Sequence, residues 1–141
     1  MNTLSFKKAI RQGDNKGKTE RHFLDFMISG KSLKTILGLE DSDMITSFGW
    51  TDDEKQIKQI KNSFKLQGNP ELKTKRVSLY VCPECGDIGC GAITASIKGV
   101  ANSIIWEDFG YENGFEEMEL YTNIKPIEFN KESYLQAFSE F

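Results

Sequence analysis

What this chain has little of narrows its function first. There is a single histidine, His22, in 141 residues, and an imidazole without catalytic partners does little acid–base chemistry. No G-x-S-x-G elbow, P-loop or G-x-G-x-x-G is found, which removes the usual nucleophile and nucleotide-cradling signatures. The Asp/Asn/Gly register of an EF-hand is missing as well. No apolar run approaches the roughly 20 residues of a membrane span. The basic N-terminal stretch (Lys7, Lys8, Arg11, Lys16, Lys18, Arg21) lacks the apolar segment of a secretory signal. These absences predict a cytoplasmic protein that is not an enzyme and does not enter membranes. His22, in an apolar context, reads as a structural or strand-edge residue.

Cysteine is scarce too, and all of it lies in one place. The run Cys82-Pro83-Glu84-Cys85-Gly86-Asp87-Ile88-Gly89-Cys90-Gly91 holds the three cysteines of the chain together with Pro83 and three glycines, four residues suited to tight turns. Alternating strand-like sequence flanks it, Val77 to Val81 before and Ala92 to Ile97 after, so it reads as the tip of a β-hairpin. Three chemistries fit such a tip. The first is a zinc knuckle held by Cys82, Cys85 and Cys90, with the fourth ligand coming from Asp87, His22, water or a partner chain. The second is a C-x-x-C redox pair, which usually works at a helix N-terminus rather than on a strand. The third is a glycine-shaped loop carrying small thiols, with Asp87 capping turn amides. A carboxylate such as Asp87 raises a neighbouring thiol pKa and works against thiolate catalysis. In a non-secreted chain, clustered cysteines are more often thiols or metal ligands than disulfides.

Positive charge is scarce in the second half. Residues 1 to 76 carry 15 basic and 10 acidic side chains, and residues 77 to 141 carry 3 basic and 11 acidic. Between Glu107 and Glu119 the carboxylates Glu107, Asp108, Glu112, Glu116, Glu117 and Glu119 occur without a lysine or arginine, interleaved with Phe109, Tyr111 and Phe115. One reading is a solvated loop whose aromatics tuck into the core. The other is a docking surface for a basic protein: the carboxylates steer the partner, and the aromatics supply anchor area. Nucleic acid is disfavoured, because clustered carboxylates repel phosphate.

The pattern along the chain predicts one α+β domain over residues 1–141, an antiparallel β-meander with three to four helices. A short helix is expected over Leu4 to Gln12, then a loop at Gly13 to Gly17 and a strand over His22 to Ser29. Ser32 is placed to cap a short helix through Leu33, Ile36 and Leu37 that Gly38 ends. Thr51 and Glu54 form a capping box for a helix whose apolar face is Ile57, Ile60 and Phe64, stopping at Gly68 and Pro70. Its other face, Lys55, Lys58, Lys61 and Lys65, reads as solvated. Val77 to Val81, Ala92 to Ile97 and Val100 to Trp106 make the meander, with Lys98-Gly99 turning the second hairpin. Asn130 caps a final helix carrying Tyr134, Leu135, Phe138 and Phe141.

The stretch from Leu79 to Thr94 with its Cys-Gly-Asp-x-Gly-Cys-Gly core, followed by Trp106-x-Asp108-Phe109, resembles a group of small bacterial proteins marked by these motifs. Asp25-Phe26, Ile28, Gly30 and Ser32-Leu33 suit that group too, and the resemblance spans most of residues 23 to 135. Small acidic proteins of this kind are similar to immunity proteins of bacterial toxin systems, including contact-dependent growth inhibition. The resemblance implies a cognate toxin domain as partner, often a basic nuclease, and implies no catalytic residues. On it, Glu107, Asp108, Tyr111, Glu112, Phe115, Glu116, Glu117 and Glu119 are the expected partner-binding residues.

Overall fold

A single extra residue in the longest strand shapes the acidic segment of the molecule. In the computed structural model, which describes residues 1–48, 51–66, 76–86 and 88–141 (for Ile88 the backbone only), that strand is β6 (Ser103–Glu112). Its inward side chains are Ile104 and Trp106 until the register against β5 (Ala92–Val100) shifts between Thr94 and Ser96. Asp108 then adopts a left-handed φ of 55°, and the next inward residue is Phe109. Inserting one residue moves every following side chain to the opposite face. Gly110 and Glu112, which alternation alone would have kept on the face of Ile104 and Trp106, are thereby turned to the opposite face, where both are buried.

Strand β6 is the hub of a five-stranded sheet. β4 (Val77–Val81) pairs with β5, and β5 with β6. The short β7 (Glu119–Leu120) and β8 (Ile127–Asn130) pair with successive parts of the other edge of β6. A second sheet is built from β1 (Leu4–Arg11), β2 (Arg21–Ile28) and β3 (Lys31–Ser32), again antiparallel. The sheets are joined at both ends. Asn2 bridges to Phe129, Ile45 bridges to Val81, and the Leu24 amide donates to the Phe48 carbonyl at 2.7 Å. Helices α1 (Leu33–Leu37), α2 (Glu54–Phe64) and α3 (Lys131–Ala137) complete the domain. The α+β class, the meander β4-β5-β6 and three helices agree with the sequence reading.

Rings fill the core. Trp106 meets Phe26 edge-on at 5.5 Å and Phe129 at 5.0 Å between centroids, and Phe64 stacks on Phe138 at 5.5 Å. Two polar tips are satisfied in series: Trp106 Nε1 donates to the Tyr134 hydroxyl at 3.0 Å, which donates to the Phe64 carbonyl at 2.7 Å. The last acceptor is a C-terminal carbonyl of α2, one of the groups a helix cannot satisfy internally. Tyr134 thus holds α2 against α3 and the sheet.

Four local expectations are corrected. Leu4 to Gln12 is not a helix: residues 4 to 11 pair with β2 along their whole length. Lys7-Lys8 interrupts the alternation that would have marked a strand, and long-range pairing overrides the local pattern. The second hairpin turns at Ala101-Asn102, with Val100 opposite Ser103, not at Lys98-Gly99. Gly99 lies inside β5, where a Cβ would approach Leu66 Cδ1 at 3.3 Å. The cap of α2 is Asp53, whose side chain accepts from the Lys55 amide, while Thr51 Oγ1 accepts from the Asp53 amide at 3.2 Å. Ser32 precedes α1 but makes no side-chain cap; its hydroxyl donates to Asp25 Oδ2 at 2.7 Å. The expected stop signals Gly68 and Pro70 lie outside the described residues. Among those described, no helix is long and apolar enough to cross a membrane.

Candidate functional site

The cysteine run is the tip between β4 and β5, as its flanking alternation indicates. β4 ends at Val81, and the chain reverses through a turn closed by the Gly86 amide on the Cys82 carbonyl at 2.9 Å. Gly86 takes a φ of 64°, which a side chain would resist. A 3-10 turn over Ile88–Cys90 carries the chain back. Gly91 then leads into β5 beneath the ring of Tyr111, whose hydroxyl would lie 2.3 Å from any Cβ placed there. The sulfurs of Cys82, Cys85 and Cys90 consequently lie within 4.8 Å of one another.

All three cysteines are thiols, and their environments differ. Burial opposes ionisation of Cys82, but the backbone amides of Cys85 and Glu84 donate to its sulfur, and with the thiols of Cys85 and Cys90 they lower its pKa. Hydrogen bonding to Cys85, then desolvation and the charges of Cys85 and Cys82, push the Cys90 thiol up to about 12. One thiolate suppresses the next when they share a site. A dication placed among the three sulfurs removes that conflict. The fourth-ligand candidates separate clearly: His22 is exposed on β2 with its Nε2 3.1 Å from Glu20 Oε2, and no other His, Cys, Asp or Glu among the described residues joins the sulfur group. Asp87 lies outside the described residues.

The knuckle is tied to the β1–β2 hairpin by residues that sequence reasoning passed over. Arg21 Nε donates to the Pro83 carbonyl at 2.9 Å. The Glu84 carboxylate accepts from the Thr19 amide at 2.8 Å, from the Thr19 hydroxyl at 2.9 Å and from the Arg11 guanidinium. Arg11 also grips Asp43 through two bonds of 3.0 and 2.8 Å. The Thr19 amide first, then Arg11 and the Thr19 hydroxyl, lower the Glu84 pKa to about 2. Positions 11, 19, 21, 43 and 84 share no local pattern, so only the tertiary structure brings them together.

The acidic run divides into a pinned part and a presented part. Glu112 is buried and ion-paired with Arg76 at 3.0 Å. Arg76 also donates to the Thr94 hydroxyl and carbonyl, each at 3.0 Å, and to the Asp108 carbonyl at the bulge. Glu107 pairs with Lys98 at 2.8 Å, Phe109 is in the core, and Tyr111 is half-buried over Gly91. Asp108 is exposed at the bulge. Beyond β6 the chain turns on Asn113, whose Oδ1 accepts the amides of Phe115 at 3.0 Å and Glu116 at 2.9 Å. On that turn Phe115 is 84% exposed, with Glu116, Glu117 and Glu119 also in solvent and Leu120 beside them.

The described residues also line an open apolar groove of about 1040 Å³ between β1–β2 and α2. Phe23, Leu24 and Ile57 are among its lining, and Lys8, Lys58 and Lys65 stand around it. The lysine face of α2 therefore borders a concavity as well as solvent. Two of its lining residues, Phe48 and Thr51, adjoin residues 49–50, which are not described. No protein-family model, curated protein or solved structure matches the chain.

Proposed function

We propose that this protein is an immunity-type binding protein that neutralises a basic toxin domain, a nuclease in the first instance, by covering it with the acidic β6–β7 edge. The observation that carries the reading is Phe115. A phenylalanine 84% exposed on a turn ordered by Asn113, with Glu116, Glu117 and Glu119 around it, combines an aromatic anchor with a steering field of one sign. Glu112, Glu107 and Tyr111 act beneath that edge as supports. Asp108 extends it along β6.

The test is co-expression of the tagged chain with the basic domain encoded beside it. A stoichiometric complex that abolishes the domain's toxicity is expected. The double change Glu116→Lys and Glu117→Lys should then slow association about tenfold or more at low salt, with the thermal midpoint unchanged. Failure to form a complex, or association kinetics that ignore the double change, would sink the reading.

A second reading has its own observation. Three sulfurs within 4.8 Å of one another support a zinc-binding or thiol-dependent protein built on Cys82, Cys85 and Cys90. It is compatible with the first, since a metal at the knuckle stiffens the scaffold that carries the acidic edge.

A further inference from the structure

We propose that Cys82, Cys85 and Cys90 bind one zinc ion as three thiolates, and that the ion works structurally, locking the β4–β5 knuckle onto the β1–β2 hairpin. This deepens the second reading above and does not depend on toxin binding.

Geometry comes first. Zinc–thiolate bonds of about 2.3 Å in a tetrahedron set the sulfurs roughly 3.8 Å apart, and here all three already lie within 4.8 Å of one another. A contraction of about 1 Å at most brings them to three corners of the tetrahedron, the fourth being left to water or another donor. The backbone is arranged for it. Gly86 turns at a positive φ, and the amides of Glu84 and Cys85 point at the Cys82 sulfur, where they offset thiolate charge. Three soft ligands select zinc over magnesium or calcium, which take oxygen. Three thiols also cannot pair off as disulfides; one is always left over.

The structural role follows from what surrounds the sulfurs. Among the described residues of the knuckle, the acid Glu84 is engaged by Thr19 and Arg11, and His22 is paired with Glu20. No further His, Asp or Glu among the described residues joins the sulfur group. The carbonyl of Pro83 and the carboxylate of Glu84 instead connect the knuckle to Arg21, Thr19 and Arg11. Fixing the knuckle therefore fixes the end of a different sheet. Binding displaces one proton from each thiol: three S–H bonds break, three Zn–S bonds form, and the protons go to solvent.

The experiment uses the full chain, freed of metal and kept reduced, and titrates it with Co²⁺ and then Zn²⁺. Saturation at one equivalent is expected, with an intense sulfur-to-cobalt charge-transfer band that zinc abolishes. Two to about three protons should be released per zinc at neutral pH, read with an indicator dye. Because Cys82→Ser could disturb folding, the variant of choice is Cys90→Ser at the exposed position. It should weaken zinc by more than about 100-fold, beyond the loss of an outer-shell partner. Hydrogen exchange should slow at residues 11 to 21 when zinc is added to the native chain. No charge-transfer band, release of fewer than two protons, or full zinc affinity in Cys90→Ser would overturn the site. Unchanged exchange at residues 11 to 21 would overturn its structural role.

Discussion

Two turns on one sheet, the β4–β5 knuckle and the β6–β7 turn, are held in opposite ways. The knuckle draws on distant partners: Glu84 reaches Thr19 and Arg11, and Pro83 reaches Arg21. The β6–β7 turn is held by its own Asn113, two and three residues away, and pushes Phe115 into solvent. A loop bound into the fold resists change and suits a scaffold. A loop organised by its own side chain can offer its remaining groups to a partner without straining the core. The acidic run straddles this boundary, because Glu112 belongs to the fold and Glu116 to the surface.

The sharpest way to break that contrast is to remove carboxylates on either side of the boundary. Glu112→Ala strands the buried Arg76 and is expected to cost about 3–5 kcal/mol, whereas Glu117→Ala should stay within about 0.5 kcal/mol. Urea unfolding midpoints of the two variants check this, and equal losses would erase the division. Next in size is the metal. If zinc locks the knuckle, a free concentration about 1,000 times its Kd stabilises the fold by about 4 kcal/mol. Chelation should therefore lower the thermal midpoint on the order of 10 °C.

On the proposed function, Phe115→Ala should weaken binding of a toxin domain by about 2 kcal/mol, as loss of a central aromatic anchor does, with no change in the thermal midpoint. Calorimetric titration beside a melting curve separates the two effects. The smallest effect concerns acid. Glu84 titrates near 2 in the fold against an ordinary 4.5, so its clamp contributes fully above pH about 4.5 and fades as pH falls towards 2. In metal-free protein, the melting curves of wild type and Glu84→Gln should differ at neutral pH and converge over that interval.

Much of this was legible because it is local. The strands on either side of the cysteines alternate, α2 shows its Ile57, Ile60 and Phe64 stripe, and Asn130 caps α3 by accepting from Ser133. The three cysteines fall together because a hairpin tip leaves them little room to separate. What was misread has a common cause. β1 contains Lys7-Lys8, Gly99 looks like a turn, and Glu112 looks like a surface acid, yet each is assigned by a partner far away in sequence. β1 is held by β2, Gly99 lies opposite Ile104 and near Leu66, and Glu112 meets Arg76.

By itself, the sequence determined the α+β class, the hairpin carrying Cys82, Cys85 and Cys90, and the surplus of acid after residue 76, since these depend on neighbours within a few residues. Only the tertiary structure decided which acids are supports and which are surface, and what anchors the knuckle. The physical reason is the left-handed Asp108: one inserted residue reverses the facing of β6, and Arg76 closes over the bulge to meet Glu112.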